Sequence, residues 1–200
     1  MIRSKPPNPS RRAWLARLPW LVPLLCLPAT ARAVGGVHVS ASTGFTGVKI
    51  EAASLVAADT TTLWETLTDY DRLATFIPDM QVSRLVSAPG QPKLVEQKAD
   101  AGLFAFVMPD RVVLAMEERP QGLIRFRAVS GNVATMRGEW IISGSGNSVK
   151  LTYRAHVVPL LPPPPLVSDH FVENEVRQRF TAVVREAERR MLAKAPGLYR

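Results

Sequence analysis

Few side chains in this sequence are of the types that do chemistry, and fewer are spaced for it. There are three histidines, His38, His156 and His170. None stands in HxxxH or HExxH spacing, so no pair of imidazoles shares a face as a metal ligand set needs. His38 falls in a Gly/Ser-rich stretch. His156 alternates with Lys150 and Arg154 on the charged side of a strand pattern. His170 opens the last helical segment, as a surface residue or a polar contact at a cavity entrance. Asp69 and Asp71 could be an acid/base pair, but helix capping and a solvated turn explain them better. No Gly-rich phosphate loop follows a strand, since Gly144-Ser145-Gly146 reads as a hairpin turn, and no nucleophile elbow is present. These residues assign no catalytic group, no metal and no cofactor.

Two polar residues stand out. Gln97 alternates in phase with Val95 and Ala99, which puts its amide on the apolar side of its strand. A buried amide needs a partner, either an internal hydrogen bond or a ligand carbonyl or hydroxyl. Tyr153 poses the same question among Leu151, Ala155 and Val157.

The elements that must hold these residues follow from periodicity. Val48, Ile50 and Ala52 alternate with Lys49 and Glu51, a half-buried strand. Asp59 and Thr60–Thr62 are N-cap candidates, and Thr62-x-x-Glu65 fits a capping box. "LWETLTDYDRLATFIPDM" (Leu63–Met80) then carries two short helices, broken at Asp69–Asp71 and stopped at Pro78. Trp64 and Leu67 are expected to pack inward. Strand patterns return over 80–88, 93–103, 111–118, 123–129, 136–142 and 151–157, separated by short Gly/Pro turns. Short links favour antiparallel neighbours, and one apolar face opposite one charged face suits a sheet with one wet side. On that wet face Arg125, Arg127, Arg137 and Glu139 suggest a cross-strand ion-pair patch, or a surface that docks on anionic lipid. After the Pro-rich connector Pro159–Asp169, Ser168 or Asp169 caps a helix running to about Lys194. Its apolar stripe is Val172, Val176, Phe180, Val184, Ala187 and Met191, with Glu173, Arg177, Arg179, Arg185, Glu188 and Arg189 on the other side.

Export is written into the first 33 residues. The segment has six basic residues, no Asp or Glu, an apolar stretch and an Ala31-Arg32-Ala33 cleavage site, so cleavage is expected after Ala33. "SRRAWLA" (Ser10–Ala16) resembles the twin-arginine motif but departs at Trp14 and Ala16, so both export routes stay open. The apolar run from Leu18 to Ala31 is short of the roughly 20 residues that span a bilayer. Cys26, the single cysteine, lies in this segment behind Leu25, which argues against lipidation. Without the segment, 19 basic residues face 17 acidic ones, and the formal +8 of the chain falls to +2. That is no field for steering a polyanion, so a nucleic-acid partner is not expected. The organisation expected is a secretory segment at 1–33, a flexible lead-in at 34–46 and one domain at 47–195.

Strand, two short helices, many antiparallel strands and one long helix fit a strongly curved sheet gripping the helix, with a gap where the two part company. The layout resembles the START-like helix-grip (SRPBCC) superfamily, in its polyketide cyclase/dehydrase and coenzyme Q-binding-like subgroup. The likeness covers about 46–194 and rests on "LWETLTDYDRLATFIPDM", "GEWIIS" (Gly138–Ser143), "VKLTYRAHVVP" (Val149–Pro159) and "AVVREAERR" (Ala182–Arg190). It implies an α+β fold of about six to seven strands around a C-terminal helix. It also implies a hydrophobic small-molecule ligand: a lipid, an isoprenoid quinone or a polyketide-like compound. The expected lining is Phe76, Ile77, Gln97, Phe104, Phe106, Met116, Phe126, Met136, Trp140, Tyr153, Phe180 and Val184. The reading is an exported, periplasmic binding protein, open to a transient contact with a membrane surface. A cyclase/dehydrase-type enzyme and a non-catalytic interaction module are the alternatives, and oligomeric state stays open.

Overall fold

Eight antiparallel strands form one sheet in the order β1-β2-β8-β7-β6-β5-β4-β3. The computed structural model describes residues 36–100 and 102–194; the expected signal segment, its cleavage site and Cys26 lie outside the described residues. The strands are β1 His38–Gly44, β2 Gly47–Val56, β3 Met80–Leu85, β4 Leu94–Ala99, β5 Arg111–Arg119, β6 Leu123–Gly131, β7 Thr135–Ser143 and β8 Val149–Val158. Helix α1 (Thr60–Thr68) and a 3₁₀ turn (Tyr70–Thr75) connect β2 to β3, a second 3₁₀ turn (Gly102–Phe106) connects β4 to β5, and α2 (Asp169–Lys194) ends the fold.

The alternation seen in sequence is the inside–outside pattern of the sheet. Val48, Ile50, Ala52, Ser54 and Val56 of β2 face in, while Lys49, Glu51 and Leu55 face out. Helix α2 lays Val172, Val176, Phe180, Val183, Val184 and Ala187 onto the inner face. Its first turn is capped by Ser168, whose Oγ accepts from the Phe171 N–H at 3.2 Å. Helix α1 starts one turn before the predicted capping box. Asp59 accepts from the Thr62 N–H at 2.6 Å, and that bond holds its carboxyl below the usual carboxylate range. Glu65 turns to the Lys194 ammonium at 2.5 Å instead of reaching back, so the Thr62–Glu65 box does not form.

Two further sequence expectations change. The lead-in placed at 34–46 holds a strand: β1 pairs with β2 from His38↔Ala53 to Gly44↔Gly47. Its short residues hid a real alternation, and α2 finishes its free edge. The Ala41 N–H donates to Glu173 at 3.2 Å, the Thr43 N–H donates to Asp169 at 2.8 Å, and Arg177 reaches the Val37 carbonyl. An edge strand closed by helix carboxylates offers no row of open donors. The strand predicted over 93–103 stops at Ala99, because the chain folds into the second 3₁₀ turn and buries Phe104.

Candidate ligand-binding site

Curvature leaves a cavity of about 150 Å³ between the inner face and α2. Strands supply Ile50, Met80, Gln97, Leu114, Met116, Ile124, Phe126, Met136, Trp140 and Tyr153. The connections supply Leu67, Tyr70, Leu73, Ile77, Phe104 and Met108, and α2 supplies Val176, Arg179, Phe180 and Val183. One reason for the curvature sits at Gly138, opposite Phe126 in the β6–β7 register. A Cβ there would stand 2.3 Å from the Arg154 carbonyl oxygen and 2.4 Å from Phe126 Cζ. Only glycine lets the strands approach so closely while the Phe126 ring lies over the backbone.

An aromatic stack forms one wall. Trp140 lies between Tyr153, at 4.4 Å between ring centres, and Phe180, at 5.9 Å. Phe126 stacks on the far side of Tyr153 at 6.0 Å. Four of the six methionines in the chain, Met80, Met108, Met116 and Met136, line the rest. Methionine is unbranched and polarisable, so such walls re-pack around different shapes.

The polar groups fall into three sets. Tyr70 shows its ring to the cavity, but its hydroxyl donates to Glu118 at 2.6 Å, and Glu118 also takes the Lys93 ammonium at 2.7 Å. Burial, reinforced by that hydrogen bond, pushes the Tyr70 phenol pKa up. Arg179, read from sequence as an outward charge, turns to the cavity edge. Its guanidinium lies 4.7 Å over the Phe104 ring and pairs with Glu175 at 2.7 Å and Asp79 at 3.1 Å. It therefore ties the second 3₁₀ turn and the start of β3 to α2. The Gln97 amide and the Tyr153 hydroxyl are different: both line the cavity, and neither has a hydrogen-bond partner among the described residues. Burial alone raises the Tyr153 pKa, so its hydroxyl is a neutral donor and acceptor. Gln97 comes from β4 and Tyr153 from β8, four places apart in the sheet.

Nine of the twelve residues expected to line a site meet at this cavity: Ile77, Gln97, Phe104, Met116, Phe126, Met136, Trp140, Tyr153 and Phe180. The other three do not. Phe76 faces a groove beside Arg185 and Arg189 on the outside of α2, because the irregular turn at Phe76-Ile77 points successive side chains apart. Phe106 is 40% exposed at the end of its 3₁₀ turn. Val184 is fully buried in the core beneath α2. Sequence reasoning passed over Arg179, although it sits between Val176 and Val183 in the apolar arc of the helix. His170 is exposed at the start of α2, 3.2 Å from the Asn174 amide, and lies off the cavity. Asp69 pairs with Arg190 at 2.8 Å and Asp71 accepts from the Leu85 N–H at 2.8 Å, so both act as ties. Among the described residues no group of His, Cys, Asp and Glu could hold a metal ion.

A family model described as polyketide cyclase/dehydrase and lipid transport matches residues 56–190. The chain belongs to this family. Solved structures share the polyketide cyclase/lipid-transport fold at low identity. A STAR-related lipid transfer protein fragment from Xanthomonas axonopodis aligns with TM-score 0.59 and 16% identity, over 76% of this chain and 93% of that one. The Zhui aromatase/cyclase from Streptomyces sp. R1128 aligns with TM-score 0.57 and 20% identity, over 80% and 100%. A START superfamily protein from Mycobacterium smegmatis aligns with TM-score 0.56 and 15% identity, over 73% and 98%. No curated protein matches the sequence.

Proposed function

We propose that this chain is an exported, periplasmic binding protein that holds a hydrophobic small molecule between its sheet and α2. The observation that carries the proposal is an apolar cavity whose lining includes two polar groups without a protein partner, Gln97 and Tyr153. Such a space suits an apolar body with one polar terminus or two, its body desolvated and its polar atoms hydrogen-bonded. Export rests on the sequence of residues 1–33 and family membership supports the ligand class.

Size narrows the mode of binding. A cavity near 150 Å³ takes a benzene-sized molecule, whereas drug-sized ligands occupy roughly 300–1,000 Å³. A lipid, quinone or polyketide-like ligand therefore enters only if the walls yield. The four methionines and the Arg179 tie on the second 3₁₀ turn are the parts suited to yielding. A cyclase/dehydrase reading would have to rest on Tyr153, since the lining contains no His, Asp or Glu. Native mass spectrometry of protein purified from its expression host without detergent tests the proposal. An apolar molecule retained one per chain is expected. Protein that stays ligand-free after exposure to fatty acids, isoprenoid quinones and aromatic polyketides would refute it.

A further inference from the structure

The outer face of the sheet carries two adjacent rows of charge with opposite characters. One row alternates: Glu117, Arg125, Glu139, Arg154 and Glu51 are successive register partners across β5, β6, β7, β8 and β2. Its ion pairs form, with Arg125–Glu139 at 3.6 Å, Arg154–Glu139 at 3.8 Å and Arg154–Glu51 at 3.2 Å. The next row does not alternate. Arg127↔Arg137, Arg137↔His156 and Lys49↔His156 are register partners, a row with three cations and no carboxylate across β6, β7, β8 and β2, in which His156 Nε2 bonds the Thr46 carbonyl at 2.8 Å. Arg127, Arg137 and Lys49 are exposed and make no ion pair among the described residues. Like charges directly opposite on neighbouring strands destabilise a sheet. The neighbouring row is the arrangement that avoids that cost.

The basic row lies on the side of the alternating row nearer one end of the sheet, and that end is apolar. Lys49 is two residues from the start of β2, Arg137 two from the start of β7 and His156 two from the end of β8. Beyond them, the tip of the β1–β2 hairpin presents Phe45 fully to solvent, and the chain leaving β8 presents Leu160 and Leu161, 63% and 69% exposed. These tips are neighbours, because Gly47 packs on the Val157 and Val158 backbone and side chain. Moving inward from that end, the surface runs apolar, then basic without compensation, then neutralised. Phe45 lies four residues before Lys49 and Leu160 four after His156, which puts the basic row about 10–13 Å behind the apolar side chains. An apolar face enters the headgroup–acyl boundary by roughly 5–10 Å, so the tip can enter while the cations behind it stay with the headgroups. The exposed carboxylate nearest this tip is Asp169, neutralised in part by the Thr43 N–H it accepts from at 2.8 Å; Asp100 and Asp110 lie at the β4–β5 connection, toward the other edge of the sheet.

The geometry points to a docking surface for an anionic phospholipid bilayer: Phe45, Leu160 and Leu161 enter the interface, and Lys49, Arg127, Arg137 and His156 sit at headgroup level. No described helix is long and apolar enough to cross a membrane. It is independent of what the cavity holds.

Flotation of the full chain with vesicles tests this, using pure phosphatidylcholine against phosphatidylcholine with one-third phosphatidylglycerol. Residues 1–33 are common to every variant, so differences report on this face. The wild type is expected to bind the anionic vesicles preferentially, less so at high salt. Lys49→Gln/Arg127→Gln/Arg137→Gln should bind them on the order of a hundredfold more weakly, and Phe45→Ser about tenfold or more. Arg119→Gln/Lys150→Gln/Arg185→Gln removes the same charge elsewhere and should bind as the wild type does. Thermal melts confirm that each variant folds, and removing the facing arginines should not lower stability. Equal loss in both triple variants would mean net charge rather than a built face, and would overturn the assignment. So would unchanged binding in the first triple variant, or a dimer in solution that this variant abolishes in place of vesicle binding.

Discussion

Replacing Gln97 with leucine should raise the stability of the free protein and lower its affinity for ligand. The two effects have one cause. The Gln97 amide lines an apolar wall without a protein partner. An unsatisfied polar group costs about 1–3 kcal/mol when fully buried. Gln97 is half-buried and its amide keeps some exposure, so less is recovered by an apolar side chain of similar volume, at most about 1 kcal/mol. For a domain of this size that is a rise in melting temperature of at most about 2–4 °C. If the same amide hydrogen-bonds the bound molecule, its loss removes about 0.5–1.5 kcal/mol of binding, roughly a three- to tenfold weaker Kd. Melting followed by circular dichroism gives the first quantity. Titration with an apolar ligand carrying a carbonyl or hydroxyl terminus gives the second, and a ligand without a polar terminus should be insensitive. A Gln97→Leu protein that melts lower would show that the amide serves the fold. One that melts higher but binds the polar-ended ligand unchanged would show that it does not serve the ligand.

Glu186 makes stability depend on acid. The hydrogen bonds from Arg189, at 2.8 Å, and then Arg190 outweigh its burial and hold its pKa down to about 2, against an ordinary 4.5. A carboxyl lowered on folding contributes fully above about pH 4.5 and loses its contribution as pH falls toward 2. Urea midpoints should therefore drop more steeply over that window in the wild type than in Glu186→Gln, and parallel curves would contradict the assignment. Gly138→Ala forces a Cβ to within 2.3 Å of the Arg154 carbonyl oxygen, so a loss of about 1–3 kcal/mol in denaturant unfolding is expected, with Phe126 driven into the cavity. Asp59→Ala removes the α1 cap and should cost about 1 kcal/mol by the same assay, whereas Glu65→Ala, outside the cap, should cost less.

Much of the fold was legible in the sequence because each level said the same thing. The period-two strands, the Asp69–Asp71 break, the stop at Pro78 and the stripe from Val172 to Ala187 are local signals, and each shows in the fold, although the strands expected over 80–88 and 93–103 end early, at Leu85 and Ala99. β1 was not legible, because serine and glycine carry little strand propensity and its edge is completed by Asp169 and Glu173, far along the chain. The cavity was half legible. Strand alternation put Gln97, Phe126, Met136, Trp140 and Tyr153 on the inner face, and that face is where the cavity lies. Alternation cannot report what an irregular turn does, so Phe76 and Phe106 were misplaced while Met80 and Met108 went unnoticed. Nor does charge alone give direction. Arg179 turns inward because a ring and two carboxylates await it there, and all three belong to the folded chain.

The central claim is that the space between sheet and α2 receives a hydrophobic molecule, and the fluorescence of Trp140 tests it most directly. Trp140 lines that space, stacked between Tyr153 and Phe180. Titrating the protein with isoprenoid quinones, fatty acids and aromatic polyketides should change its emission saturably, at one ligand per chain, for at least one class. The change should shrink in Trp140→Phe, which leaves Trp64 as the tryptophan packed on the core, and binding by mass spectrometry should vanish in Val176→Phe, which fills the space from α2. Saturable binding that survives in a folded Val176→Phe protein would place the ligand elsewhere and contradict the account.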